Sequence, residues 1–348
     1  MRNKMSEKQT TILIINMASD FGGGEIQTEE LMLNLTNYNI CFFGKSSGKF
    51  IPRLKEKAPH IKIVNLWEML KLVFCCSSLI IHAQDGRGAH IAGFLKKISG
   101  RPVVITRHVS FPFKRKFSLS SYKNADMLVG VSQQVTENLK LLNSNCRTIY
   151  GCIKPLLENA EFEQRYFVKK HILAIAHIGN LQAVKNFQLT LSLAKNFSQI
   201  QFFIVGSGEL EQELKQQAIN LPNITFIPFT PYIGSVFKKV DLQIVPSHSE
   251  GLGAVILEGY QYRVSVIAHQ TGGISEIVQN EKTGFLVENN DPMIYHKILT
   301  TLLDNPQKLC ELKQNVERYI FEHDFSARRM ALEYEQVYSA ILANRTQK

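Results

Sequence analysis

The chain has 348 residues, too long for one ordinary domain and sufficient for two. Its hydrophobic fraction of 45% supports substantial cores and excludes a disordered or collagen-like chain. The net charge of +10 is lopsided: residues 1–160 hold 22 Lys and Arg against 11 Asp and Glu, whereas residues 161–348 hold 18 against 19. A one-sided basic field points to an anionic partner such as a membrane surface, a phosphorylated glycolipid or nucleic acid, with a solvated face as the plain alternative.

Six cysteines, at 41, 75, 76, 146, 152 and 310, show neither CxxC pairs nor zinc spacing and read as reduced thiols of a cytosolic protein. The polar start MRNKMSEKQT carries no secretory signal. The most lipid-like segment, LVFCCSSLII at 72–81, is about half the length that a bilayer requires.

Apolar runs alternate with amphipathic ones along the first half. TILIINM (11–17) reads as a buried strand, and residues 25–38 have helical spacing at Ile26, Leu31, Leu33 and Leu35. Further strands are expected at 39–44, 77–83, 102–108 and 127–132. Such alternation predicts a parallel sheet wrapped by helices. The stretch 148–170 lacks a period and contains Gly151 and Pro155, which places an interdomain connection there. The pattern then restarts, with strands expected at 171–179, 200–206, 224–229, 242–247, 264–269 and 284–289 and helices between them. From 292 onward the chain reads as helical, with breaks near Pro306 and His323–Asp324.

The expected organisation is therefore α/β, two Rossmann-like domains facing each other across a cleft, with C-terminal helices free to cross back to the first. The first domain is assigned to 1–155, the linker to 156–170, the second domain to 171–322 and a C-terminal helix to 323–348. Ligands of such folds bind at the carboxyl edge of the sheets.

SEGLGAVILEG (249–259) lies at one such edge, on an expected helix over 252–262. Gly251 and Gly253 strip side chains from the helix start, so an anion can approach the backbone amides there. Glu250 and Glu258 supply two acceptors, about 12 Å apart if helical rise separates them. Such a pair could grip the diols at either end of a nucleoside-diphosphate sugar, with the diphosphate on the amides. The plainer alternative is a helix-start acid and a surface acid.

In this context the sequence resembles retaining glycosyltransferases of the GT-B fold, family 4 type, also called glycosyl transferases group 1. The resemblance rests on PSHSEGLGAVILE (246–258), TGGISEIV (271–278), TGFLV (283–287), FGGGEIQT (21–28) and VSQQVTENL (131–139). It implies a nucleotide-sugar donor held by Gly23, Gly24, Asn180, Lys185, Glu250, Gly251, Leu252, Gly253 and Glu258. Lys185 is implied as the cation on the donor diphosphate, and His108, Lys185 and Glu250 as the catalytic set. Asn180 stands where the family usually has Arg, so charge is missing from that position. A helix end plus Lys185 would neutralise the diphosphate without a metal or other cofactor, and no Asp-x-Asp pair accompanies the motif.

The implied acceptor is a saccharide or glycolipid, in lipopolysaccharide or other surface-polysaccharide synthesis. Lys96, Lys97, Arg107, Lys114, Arg115 and Lys116 are the candidates for an acceptor or anionic-membrane surface. That predicts a cytoplasmic protein, peripheral on the inner face of the plasma membrane. His82, His177 and His248 are other strand-end histidines. The alternatives are a nucleotide-sugar epimerase of the same fold, and a basic nucleic-acid-binding protein. The second lacks interleaved aromatic and basic repeats, so no nucleic acid is expected as partner.

Overall fold

A computed structural model describes residues 9–111, 116–168 and 171–346. Two parallel sheets organise it. The first contains β1 (Thr11–Asn16), β2 (Asn39–Gly44), β3 (Lys62–Ile63), β4 (Leu79–Ala83), β5 (Val103–Arg107), β6 (Met127–Gly130) and β7 (Cys146–Thr148) in the order β3-β2-β1-β4-β5-β6-β7. The second contains β8 (Leu173–Ile178), β9 (Ile200–Val205), β10 (Ile224–Ile227), β11 (Leu242–Val245), β12 (Ser265–His269) and β13 (Gly284–Val287) in the order β10-β9-β8-β11-β12-β13. Helices cover both faces, which is why β1 (TILIIN) and β9 (IQFFIV) are buried along their whole lengths and do not alternate.

The chain divides into two compact units, Met1–Cys152 with Phe325–Lys348, and Ile153–Asp324. The last helix, Ala327–Thr346, thus belongs to the first unit. Its Met330, Tyr334, Val337, Tyr338 and Ile341 are buried in one core with Leu31 and Met32 of the helix Gly23–Asn34 and with Leu35 just past it. The stretch 156–170, expected as linker, holds the helix Ala160–Tyr166, whose Phe162 and Tyr166 pack on the core of the second unit. The C-terminal helices run Pro292–Asp304, Pro306–Glu322 and Ala327–Thr346. Each of the first two starts on a Pro preceded by an Asp or Asn cap, which explains the break at Pro306. The apolar segment at 72–81 splits between the helix Leu66–Cys75 and β4. Among the described residues no helix is long and apolar enough to cross a membrane.

In each unit the strand order reverses once, between β1 and β4 and between β8 and β11. Loops leaving neighbouring strands diverge to opposite faces at such a switch point, so the strand ends there are open to a ligand. Gly23 and Gly24 follow β1, and Asn180, Lys185 and Glu250 follow β8 and β11, at these two places, whereas Lys96 and Lys97 lie in the last turn of the helix Gly86–Ser99.

Candidate active site

At the second switch point, Gly179, Asn180 and Lys185 follow β8, and the loop 246–253 follows β11. Lys185 Nζ lies 2.6 Å from Glu250 Oε1, in a pair whose side chains are 23% and 12% exposed. Backbone bonds fix this meeting. His248 N–H donates to the Val184 carbonyl at 2.8 Å, and Gly273 N–H donates to the Gly251 carbonyl at 3.1 Å. Asn290 Nδ2 holds the Pro246 carbonyl, and His269 Nδ1 bonds the Ser247 carbonyl at 2.8 Å. The loops after β8, β11 and β12 are thus tied into one platform.

Glycines permit the close approaches. Gly272 has φ +54°, and a Cβ there would come 1.8 Å from the Glu250 carbonyl oxygen. Gly253 caps the helix Ala254–Tyr260 at φ +87°, a left-handed conformation that glycine adopts without penalty. Leu252 is buried beside it, and Asn180 and His248 are exposed.

The helix starts at Ala254, four residues after Glu250. Helical rise therefore does not set the spacing of Glu250 and Glu258, in contrast to the separation expected of a helix over 252–262. Glycine at 251 and 253 favours loop over helix, which explains the later start. Glu258 is half-buried inside that helix, and burial pushes its carboxyl up to about 7, with Lys154 pulling the other way. Gln261 Nε2 donates to the Lys154 carbonyl at 3.2 Å and keeps this segment beside the helix. His177 is buried under the platform, stacked on Phe187 at 3.8 Å and bonded to Thr190 at 2.8 Å, so it is a packing residue.

At the first switch point the loop after β1 is clamped from three sides. Asp85 Oδ1 accepts from Met17 N–H at 2.9 Å, and Glu25 accepts from Asn16 Nδ2 at 3.2 Å and from Gly22 N–H at 3.0 Å. These bonds present Gly23 and Gly24 at the N-terminus of the helix Gly23–Asn34. The Gly24 backbone passes the His108 ring so closely that a Cβ there would lie 3.5 Å from Cγ, while a Cβ on Gly23 would meet nothing. His108 sits just past β5, half-buried, with Nε2 2.9 Å from Gln84 Oε1. Burial lowers its pKa to about 4, so the ring is neutral.

The proposed basic surface is less open than the sequence suggests. Lys96 is bound to Asp126 at 2.5 Å, and Arg107 turns to the Phe111 carbonyl and lies 5.9 Å over the Tyr122 ring. Each satisfies a neighbour on its own unit. Lys97 is exposed, Lys114 and Arg115 lie outside the described residues, and Lys116 opens the helix Lys116–Lys123.

Sequence reasoning missed Gln84, the close approach of Gly272 to the Glu250 carbonyl, and the partners of His82. His82 Nδ1 lies 2.7 Å from the Tyr338 hydroxyl, 256 residues away in the chain. The only local signal was the polar His82–Gln84 end of an otherwise apolar strand.

Residues 158–319, within the second unit, match the family model of the glycosyl transferases group 1. An uncharacterized glycosyltransferase of Haemophilus influenzae is 27% identical over 47% of this chain and 48% of its own length, so the chain spans about half of that relative. An uncharacterized glycosyltransferase of Methanocaldococcus jannaschii is 25% identical over 92% of this chain and 95% of its own. Among solved structures, that of Anabaena HepE in complex with UDP-glucose superposes with a TM-score of 0.81 at 19% identity, covering 95% of this chain and 99% of that one. The two parallel-sheet units are those of the GT-B fold.

Proposed function

We propose that this protein moves a sugar from a nucleotide-sugar donor to a saccharide or glycolipid acceptor, with retention of configuration. The observation that carries the reading is the Lys185–Glu250 pair at 2.6 Å, a cation and an acceptor on the platform at the β8/β11 switch point. The group 1 match over residues 158–319 and the UDP-glucose complex of the Anabaena neighbour support a nucleotide-sugar as the donor.

The roles follow from charge. The donor diphosphate competes with Glu250 for the Lys185 ammonium, which then stabilises the negative charge growing on the leaving group. Glu250, released, accepts hydrogen bonds from sugar hydroxyls. Glu258 accepts from hydroxyls at the nucleoside end, and the amides around Gly251, Leu252 and Gly253 complete the grip. The anomeric carbon–oxygen bond to the diphosphate breaks through an oxocarbenium-like state. An acceptor hydroxyl forms the new bond on the same face and gives its proton to the departing phosphate oxygen. The first unit serves the acceptor through His108, whose neutral imidazole can take a hydrogen bond from a hydroxyl. The excess of cations in residues 1–160 supports an anionic acceptor, such as a lipopolysaccharide or another surface glycolipid, and contact with an anionic membrane through Lys97. Lys185 and the amides do this without a metal, so turnover is expected to survive a chelator.

The test is a screen of UDP, GDP, ADP and CMP sugars by thermal shift, followed by turnover with saccharide acceptors and proton NMR of the product. A single stabilising donor and a product with the donor's anomeric configuration are expected. An inverted product would refute retention. Product formed from the donor alone would identify an epimerase.

A further inference from the structure

Beneath His108 the first unit holds a connected set of buried polar groups. The Gln84 amide stands between two histidines, with Oε1 2.9 Å from His108 Nε2 and Nε2 3.1 Å from His82 Nε2. His82 Nε2 also lies 2.8 Å from Thr106 Oγ1, which is 2.9 Å from the Tyr334 hydroxyl. On its other side His82 Nδ1 meets the Tyr338 hydroxyl at 2.7 Å. His82, Gln84, Thr106, Tyr334 and Tyr338 are all buried. The Gln84 backbone is fixed as well, because its N–H donates to the Ile15 carbonyl of β1 at 2.9 Å.

An amide oxygen only accepts, and an amide nitrogen only donates. The nitrogen of His108 that faces Oε1 must therefore carry a proton. Gln84 Nε2 lies 3.1 Å from His82 Nε2 and 3.5 Å from His82 Nδ1, so it does not by itself decide which nitrogen of that ring carries the proton. His82 is held from both sides by hydroxyls, Tyr338 at Nδ1 and Thr106 at Nε2, each able to donate or accept. Burial keeps both rings neutral, with pKa values of about 3 for His82 and about 4 for His108. The amide oxygen thus sets the protonation of His108, and the C-terminal helix Ala327–Thr346 anchors the far end of the network through Tyr334 and Tyr338.

We propose that Gln84 is a positioning residue that fixes His108 as its Nε2-protonated tautomer, so that Nδ1 is the acceptor the ring offers to a substrate hydroxyl. The substrate half of this statement rests on the role given to His108 above; the tautomer half does not. A ring free to exchange tautomers would offer a donor in part of the population, and a hydroxyl that must give up a proton is served only by the acceptor.

The experiment is long-range nitrogen–proton correlation NMR on the full chain with labelled histidine at neutral pH, in parallel with kinetics. The wild-type spectrum is expected to show His108 with its proton on Nε2. Gln84→Met, which fills the same space without the amide, is expected to give His108 as a mixture of tautomers. In that variant kcat should fall by about ten- to a hundredfold with donor KM nearly unchanged. Gln84→Glu, which keeps the acceptor, should restore the Nε2 proton. A wild-type His108 protonated on Nδ1, or a Gln84→Met spectrum with the single tautomer intact, would overturn the proposal. The wild-type spectrum decides even if the Met variant does not fold. Mixed tautomers with full turnover would leave the positioning in place and remove His108 from the reaction.

Discussion

Lys185 and Glu250 lie 65 residues apart in the chain, and their side chains meet at 2.6 Å. Neither is deeply buried, so each can exchange its partner for a ligand group. A structural ion pair and a donor-binding pair are separable here. Lys185→Ala is expected to lower kcat by about a hundredfold or more, because the charge it answers is largest in the transition state. It should also lower Tm by leaving Glu250 unpaired. In the Lys185→Ala, Glu250→Gln double variant Tm is expected to recover while turnover stays low. Recovery of turnover along with Tm would reduce the pair to scaffolding.

Glu258 gives a pH dependence with a defined sign. Burial raises its carboxyl from 4.5 to about 7, so between those values the folded state keeps a proton that the unfolded chain has released. Stability should therefore fall as pH rises through that window, and Glu258→Gln should remove this part of the slope. Donor binding runs the other way. Hydroxyls that donate to the carboxylate favour its ionised form, so binding below pH 7 must expel a proton. Donor affinity is expected to rise with pH up to about 7 and then level, as titration calorimetry in two buffers of different ionisation enthalpy would show. A Glu258→Gln variant that keeps the same pH slope would remove the residue from the donor site.

Gly272 is held against the Glu250 carbonyl at φ +54°. Gly272→Ala adds a Cβ that would overlap that oxygen, in a conformation costing an L residue roughly 1–2 kcal/mol before the clash is relieved. The loop 246–253 must move, and Glu250 with it. The expected result is a lower Tm and loss of donor-induced stabilisation, read by thermal shift against UDP-glucose. Gly23→Ala is the control, because a Cβ there meets nothing. Its Tm should stay within a degree or so of wild type.

Much of this was legible in the sequence, and the reason is local. β2 matches its expected bounds of 39–44 and β9 ends one residue before the expected 206, because buried parallel strands are continuous apolar runs closed by Gly. β3 and β7 were missed: Lys62–Ile63 and Cys146–Thr148 are short edge strands with no run to read. The turn between β11 and the following helix was legible from Gly251 and Gly253. The Lys185–Glu250 contact, the pairing of Lys96 with Asp126 and the bond from His82 to Tyr338 were not legible, because each joins distant positions that only the sheet order brings together. Charge counting likewise overstated the free cations, since a sum says nothing about which ones already have a carboxylate.

The bond from Tyr338 to His82 makes the C-terminal helix a structural part of the first unit. Both groups are fully buried, so neither can turn to water when the other is removed. Tyr338→Phe preserves the ring and its edge contact with Tyr38 at 5.5 Å, but leaves His82 Nδ1 without its hydroxyl partner. An orphaned buried polar group costs about 1–3 kcal/mol. Amide exchange should then quicken in β4 and β5, which His82 and Thr106 anchor, and stay unchanged in β8 to β13, since Tyr338 and His82 both belong to the first unit. Replacing the histidine as well, in Tyr338→Phe with His82→Leu, exchanges a polar pair for apolar groups and is expected to recover part of the loss. Protection in β4 and β5 that is unmoved by Tyr338→Phe would mean that the helix is held by its apolar face alone.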